Sequence, residues 1–332
     1  MTRKAKKITW ITIVLLLLIG AATLCVLRWK AWFVNPPEPF VDRSDSIAVY
    51  FHTFGRDTVP GFELLRGAWV EDDENDSTLC FMVLGDVHNA LDSADWARMA
   101  GWCTDLDFYV QAGDFVERGY EYYFRLLARQ QYGTRFQSLP VLTTPGNHEY
   151  RKGVNPTLPE MWYETFPNPQ NGPGRFLGTT YYVDFAGLRI IMIDTNGLNL
   201  LSDYTMLNAW TKKVLREARH RYAIVVMHHP VYSSCEGRQN PLVYSTFGRA
   251  LREADLVFSG HDHSYARRGK FIGTNAATKH YQPKEGAAFD VLLPETQCYE
   301  LITLKGNHLT LRSYDLKTGE MFDEVVLPHP VW

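Results

Sequence analysis

What this sequence lacks narrows its chemistry before any motif is read. Its 34 Lys plus Arg against 37 Asp plus Glu leave a formal net charge of −3. The charges are spread along the chain, so nothing forms the basic face that a nucleic-acid backbone requires. There is no internal repeat, no Gly/Ser tract and no long run of like charge. Asp72-Asp73-Glu74-Asn75-Asp76 comes nearest and reads as a solvated loop. No G-x-x-x-x-G-K-[ST] phosphate loop and no G-x-S-x-G elbow occurs, so ATPase and serine-esterase readings lack support. Cysteine is scarce, with five in 332 residues. Cys25 falls in an apolar N-terminal stretch and Cys80 in a core strand, and the pairing of Cys80, Cys103, Cys235 and Cys298 stays open.

The N-terminus differs from everything after it. Ile8 to Leu27 is 20 residues without a charge, long enough to cross a hydrocarbon core at about 1.5 Å per residue. Arg3, Lys4, Lys6 and Lys7 precede it and only Arg28 and Lys30 follow closely, a bias that holds the N-terminus in the cytoplasm. Gly20-Ala21-Ala22 is a poor cleavage site because Leu24-Cys25-Val26-Leu27 continues the apolar stretch, so an uncleaved signal anchor is expected. Trp29, Trp32 and Phe33 would form an aromatic belt, and Asn35-Pro36-Pro37-Glu38-Pro39 a stiff tether. The expected organisation is a basic cytoplasmic tail at 1–7, a single-pass transmembrane helix at 8–27, a Pro-rich tether at 28–45 and one catalytic domain at 46–332. That domain would be periplasmic or extracellular.

Within the domain, five apolar runs read as buried strands: Leu79 to Leu84, Phe108 to Val110, Leu139 to Leu142, Ala223 to Met227 and Asp255 to Phe258. Helical patterning separates them at Asp92 to Cys103, Tyr120 to Gln131, Tyr204 to Arg219 and Val243 to Ala254. Alternation of strand and helix argues for an α/β layered domain. A strand or two is expected within residues 45 to 70. Strand patterning returns at Val291 to Leu293, Tyr299 to Leu304, Leu309 to Tyr314 and Met321 to Val326, whose simplest use is a second, antiparallel sheet closing the sandwich.

Each buried run ends in a short polar string: Gly85-Asp86-Val87-His88, Gly113-Asp114, Gly146-Asn147-His148-Glu149, His228-His229-Pro230 and Gly260-His261-Asp262-His263. Ligands in such folds sit beyond the carboxyl ends of strands, so the strings are expected along one edge of one sheet. Carboxylates, an amide oxygen and imidazoles form a mixed O/N donor set that suits two divalent or trivalent ions of Mn, Fe or Zn. Two ions need a shared anion, and Asp114 is the natural bridge. Asp86 and His88 are two residues apart, as are His261 and His263, so each pair points one way while Val87 and Asp262 point the other.

Taken in order, D-x-H, G-D, G-N-H-E, H and G-H-x-H resemble the calcineurin-like metallophosphoesterase superfamily, from about Leu79 to about Tyr265. The resemblance implies a four-layer αββα sandwich. Asp86, His88, Asp114 and His263 would hold one metal, and Asp114, Asn147, His228 and His261 the other. A metal-bridging hydroxide would be the nucleophile and His148 the proton donor. Gly113-Asp114-Phe115-Val116-Glu117-Arg118-Gly119 looks like a segment of protein Ser/Thr phosphatases, by which Glu117 would orient His148 and Arg118 would clamp a phosphate oxygen. Thr143 to Glu149, Met227 to Pro230 and Gly260 to Tyr265 look more like purple acid phosphatases. Those enzymes carry a Tyr ligand three residues after the bridging Asp, where this chain has Glu117, so a purple-phosphatase-like fold with a colourless centre is expected.

Rival readings stand beside several assignments. His229 competes with His228 as ligand, Arg118 with a helix salt bridge, and Arg267 and Arg268 read as solvated. The aromatic stretch Tyr150 to Gly178 either lines the pocket or packs on the sheet. The motifs support a metal-dependent phosphoesterase, a phosphomonoesterase first and a phosphodiesterase or pyrophosphohydrolase as alternatives. A catalytically silent metal-bound scaffold is the rival of a different class. The expected partners are a phosphorylated small-molecule or lipid-linked substrate and the membrane.

Overall fold

The computed structural model describes residues 78–327 apart from 152–156, 167, 186, 199, 219–221 and 307, together with Gly20 and residues 50–51 and 59–60. The expected tail, anchor and tether lie outside the described residues but for Gly20. Among the described residues no helix is long and apolar enough to cross a membrane. Strands β1 (Tyr50–Phe51) and β2 (Val59–Pro60) pair antiparallel with each other, away from the two main sheets.

The first sheet is built on β3 (Thr78–Leu84), β4 (Phe108–Gln111) and β5 (Val141–Thr143), which run parallel. Between β3 and β4 lies helix α1 (Ser93–Trp102), whose start is set by a reciprocal capping box. The Asp92 carboxylate accepts from the Ala94 and Asp95 N–H groups, while Asp95 accepts from the Asp92 N–H. Trp96 and Met99, one turn apart, are its buried face. Trp96 packs on Phe136 and Tyr109 with ring centroids 4.9 and 6.5 Å away. Between β4 and β5 lies α2 (Glu121–Gln131), with Phe124 and Leu127 inward.

The second sheet begins with a hairpin of β6 (Tyr181–Phe185) and β7 (Leu188–Ile193) that the sequence pattern did not single out. Helix α3 (Glu160–Thr165) precedes this hairpin and α4 (Leu201–Glu217) follows it. Strands β8 (Tyr222–Met227) and β9 (Leu256–Ser259) continue parallel from β7, with α5 (Pro241–Phe247) between them. The single helix expected over Val243 to Ala254 instead ends at Gly248, a weak helix former, and resumes as a 3-10 turn at Ala250–Glu253. Strands β10 (Tyr265–Arg268), β11 (Phe271–Gly273) and β12 (Val291–Leu293) complete this sheet in the order β12-β10-β11-β9-β8-β7-β6.

Two expectations are corrected here. The five strings do not share one sheet: three follow β3, β4 and β5, and two follow β8 and β9 of the second sheet. Nor do the C-terminal strands form a sheet of their own. Strand β13 (Cys298–Lys305) pairs antiparallel along the free edge of β3, with Glu300 opposite Val83. Strands β14 (His308–Asp315) and β15 (Met321–Leu327) extend it, giving the order β15-β14-β13-β3-β4-β5. Strand periodicity registers that a segment is extended, but which edge it joins is decided by long-range pairing.

The two sheets face each other across the main core. On β7 and β8, Ile190, Met192, Ile224 and Val226 join the cluster that holds Phe81 and Phe108, while Ile191, Ile193, Val225 and Met227 join Leu207, Val214, Val243 and Phe247. Both faces are therefore covered, which is why these strands read as unbroken apolar runs. Polar clasps also cross between the sheets. The Tyr265 hydroxyl donates to Asp323 at 2.6 Å, and that of Tyr181 to the Thr143 carbonyl at 3.1 Å. Arg267 is not solvated as expected but pairs with Asp323 at 2.6 Å and Asp290 at 3.3 Å. Trp162, Phe166 and Phe176 of the aromatic stretch are buried, so these side chains pack on the sandwich, while Tyr163 stays exposed.

One buried charge offers a stability test. Glu300 on β13 is fully buried, and that burial pushes its carboxyl up to about 8, against an ordinary value of 4.5. The folded state then holds a proton that the unfolded chain releases, so stability falls as pH rises from about 4.5 to about 8. Glu300→Gln should remove that decline and gain on the order of 4–5 kcal/mol at pH 8 and above. Urea unfolding of both proteins at pH 5 and pH 8 measures it; an equal difference at the two pH values would refute it.

Candidate metal centre

The strings after β3, β4, β5, β8 and β9 meet at one end of the sandwich, and their backbone is unusual. Asp86, His88, Asp114, His261 and His263 all have positive φ, between 45° and 73°. Non-glycine residues rarely adopt this left-handed conformation, and it marks functional turns. The side chains of Asp86 and His88 do converge, with Oδ1 and Nε2 3.8 Å apart. Left-handed turns bring them together, rather than the strand alternation that the spacing suggested. Val87 is buried in the core and Asp262 turns away to Ser233 and Ser234, as expected. Glycine is required where the loops touch: a Cβ on Gly260 would overlap Asp86 Oδ2, and one on Gly146 would overlap Asp114 Oδ1.

The donors fall into two overlapping groups. In the first, His263 Nε2 lies 3.4 Å from Asp86 Oδ1 and 3.2 Å from His88 Nε2, which is 3.5 Å from Asp114 Oδ2. In the second, His228 Nε2 lies 3.3 Å from Asp114 Oδ2 and 3.2 Å from Asn147 Oδ1. His261 Nδ1 is 3.1 Å from the same amide oxygen and 3.3 Å from His228 Nε2. Asp114 Oδ2 is thus shared between the groups. The Asp86, His88 and His263 donor atoms lie within 4.8 Å of one another, as do those of Asp86, Asp114 and His228, and those of His88, Asp114 and His148.

Hydrogen bonds at the far side of the rings set their tautomers. His228 Nδ1 donates to the Ala112 carbonyl at 3.1 Å and His263 Nδ1 to the Lys279 carbonyl at 2.7 Å, which leaves Nε2 of each toward the centre. Burial works against charge on Asp86 and Asp114. Even so, the neighbouring His263 and His88 rings hold the Asp86 carboxyl well below the ordinary range, and the charge of His228 does the same for Asp114. His228 is pushed up to about 9 by Asp114 in spite of its burial. Burial and the neighbouring His228 push His261 well down.

These residues fit metal ions. Asp86 Oδ1 is fully buried and has no hydrogen-bond partner, and imidazole nitrogens face one another at contact distance. Two ionised, buried carboxylates in this arrangement call for cations, and an ion beside each facing imidazole pair would take up lone pairs from both rings. Asp86, His88, Asp114 and His263 would hold one, and Asp114, Asn147, His228 and His261 the other.

The remaining assignments divide. His148 sits beside the cluster, its ring edge-on to His88 at 4.3 Å. The carboxylate of Glu117, expected to orient His148, instead lies with Oε2 3.3 Å from His88 Nδ1. The backbone carbonyl of Glu117 holds His148, accepting from Nδ1 at 2.6 Å. Arg118 is exposed, with no hydrogen bond or ion pair from its side chain among the described residues, so the rival salt bridge is not formed. His229 bonds Thr195 Oγ1 through Nδ1 at 3.0 Å, and its ring lies 4.5 Å from that of His261.

Several supporting residues escaped the sequence reading. Glu149 is buried and accepts from the Asp114, Val116 and Gly146 N–H groups at 2.9, 2.9 and 2.6 Å, lacing two ligand loops together. Its place in G-N-H-E was the available signal. Asp194 accepts from Tyr150 at 2.6 Å and from the Asn196 N–H at 2.8 Å, and Asn196 donates to the Pro145 carbonyl at 2.8 Å. No spacing pattern marks these two.

Two facing sheets that present a shared carboxylate, an amide and four imidazoles at their carboxyl ends define a metal-binding α/β sandwich. Residues 80–265 match the family of calcineurin-like phosphoesterases, and the chain belongs to that family. No curated protein matches it. Among solved structures, purple acid phosphatase PPD1 from yellow lupin seeds (Lupinus luteus) aligns at a TM-score of 0.59 and 12% identity, over 76% of this chain and 54% of that one. GAP50, described as the anchor in the inner membrane complex of Plasmodium, aligns at 0.57 and 17%, over 76% and 90%. PhoD aligns at 0.51 and 10%, over 76% and 68%. The chain thus spans about half the length of the lupin enzyme, and these likenesses concern the fold.

Because Glu117 stands three residues after Asp114, the iron-loaded protein should show no tyrosinate charge-transfer band in its visible spectrum. A purple preparation would mean that a tyrosine binds iron, and Tyr281, its ring 4.8 Å from that of His263, would be the first to replace.

Proposed function

We propose that the chain is a phosphoester hydrolase dependent on two metal ions, with phosphomonoesters as its first substrate class and phosphodiesters or pyrophosphates as alternatives. The position of His148 carries this reading. A carbonyl oxygen only accepts, so the Glu117 bond at 2.6 Å fixes the proton on Nδ1 and leaves Nε2 to carry a second proton to a leaving alkoxide. The ions, when bound, would supply Lewis acidity and the attacking water. Around them the protein's own work is positional: Asp114 accepts from the His148 N–H at 2.7 Å, and Asp86 accepts from the His261 N–H at 2.7 Å. Those bonds tie each loop to the next, so a substrate meets a rigid constellation.

The scaffold reading has one observation in its favour, the fold it shares with a protein described as an anchor. His148 weighs against it, because a scaffold has no use for a proton donor beside its ions. The full chain in detergent, reloaded with Mn, Zn or Fe, should hydrolyse at least one class among phosphomonoesters, phosphodiesters, nucleotides and lipid-linked phosphates. Two bound ions with no turnover on any would favour the scaffold.

We propose further that residues 8–27 anchor the domain on the periplasmic or outer side, on the charge bias and length already described. Protease added to intact spheroplasts should then digest the domain and spare cytoplasmic markers. Full protection would place the domain inside, and a soluble form with a new N-terminus would mean cleavage.

A further inference from the structure

Beside the metal centre, on the rim formed by the His261 to His263 loop, two cations bracket one aromatic ring. The Arg238 guanidinium lies 3.8 Å from the centroid of Tyr281, and the Lys279 ammonium 4.8 Å from it. The Tyr281 ring in turn packs on His263 at 4.8 Å. Both residues also grip the ligand loop through the backbone. Arg238 Nη2 donates to the His261 carbonyl at 2.6 Å, and the Lys279 carbonyl accepts from His263 Nδ1 at 2.7 Å.

The charge of this group is only partly cancelled. Asp262 Oδ1, with no other partner among the described residues, lies 3.6 Å from Arg238 Nε as an ion pair, while the Ser233 hydroxyl and the Ser234 N–H donate to its Oδ2 at 2.8 and 2.6 Å. Arg238 Nε is buried without a hydrogen-bond partner. Lys279 is exposed and has no ion pair among the described residues. Asp262 offsets one of the two charges held over the ring, and the other is left for an anion from outside. Clamping the loop uses an Arg238 N–H donor but only the backbone carbonyl of Lys279, so the loop has no need of the Lys279 charge.

We propose that Arg238 and Lys279, set against Tyr281, form a subsite for a second phosphoryl group of the substrate, next to the group being hydrolysed. The proposal rests on the phosphoester reading and narrows it to substrates bearing a diphosphate or an adjacent phosphate. Arginine binds such a group through two parallel N–H bonds and lysine as a point charge, so together they favour a dianionic phosphoryl group. Tyr281 keeps both cations on one side of His263.

The test uses the full chain loaded with excess Mn and two probes, inorganic phosphate and inorganic pyrophosphate, titrated calorimetrically. Wild type should bind pyrophosphate at least about tenfold more tightly than phosphate, and Lys279→Gln and Arg238→Gln should each bring that ratio toward one. Arg238 also holds a ligand loop, so Lys279→Gln, altered only at an exposed side chain, is the cleaner variant. In hydrolysis, kcat/KM for a diphosphate ester over that for the matching monophosphate ester should fall by the same factor. Equal binding of the two probes by wild type, or a ratio unmoved in both variants, overturns the subsite. Repeating the titration with methylenediphosphonate, which is not hydrolysed, keeps turnover out of the heat, so the subsite stands or falls apart from the hydrolase reading.

Discussion

Asp114→Asn should cost the protein both metal stoichiometry and turnover. The carboxylate reaches into both donor groups: Oδ2 is 3.3 Å from His228 and 3.5 Å from His88, and Oδ1 accepts from the His148 N–H. An amide removes the shared negative charge between two cations and turns one oxygen into a donor that faces other donors. Metal content should drop below two ions per chain, and kcat/KM by at least about 10³-fold, or roughly 4 kcal/mol of transition-state stabilisation. Metal analysis of the purified variant, with turnover in the same preparation, decides it. Two ions bound at full activity would remove Asp114 from the bridge.

Much of this centre was legible in the sequence because its ligands are local. Each lies within four residues of the end of its strand, and a strand that ends in Gly-Asp or Gly-His places its ligand without reference to the rest of the chain. Helix α1 was legible for the same reason, since Asp92 and Asp95 cap their own turn. What was not legible depends on pairing at a distance. Nothing in Tyr299 to Leu304 says that it lies against β3, and the hairpin of β6 and β7 has no polar string to draw notice. Glu117 shows the same limit at the scale of one residue. Its resemblance to a phosphatase motif pointed the carboxylate at His148, but the chain turns so that the carbonyl takes that place and the carboxylate faces His88. Arg238, Lys279 and Tyr281 come from stretches of sequence with no motif, and they meet only because both stretches pack against the His261 to His263 loop.

His148→Ala separates catalysis from metal binding. The ring's Nδ1 is committed to the Glu117 carbonyl, and the Asp114 contact is made by the His148 main chain, which alanine retains. Both ions should therefore stay bound, and the variant should match wild type in metal analysis. Turnover should fall in a way that depends on the leaving group. An alkyl phosphate releases a basic alkoxide that needs a proton in the transition state, and general-acid catalysis of that kind is worth about 10²–10⁴-fold. An activated aryl phosphate releases a stabilised phenoxide and gains little from a proton donor, so its rate should stay within about tenfold of wild type, a window below the general-acid contribution. The measurement is kcat/KM across a series of phosphate esters of graded leaving-group pKa. The slope against pKa should steepen in the variant, with the largest losses among the poorest leaving groups. A uniform loss across the series would mean that His148 positions substrate instead of protonating it. The hydrolase would then need another acid, and His229, held by Thr195 with its ring 4.5 Å from that of His261, is the next imidazole to replace.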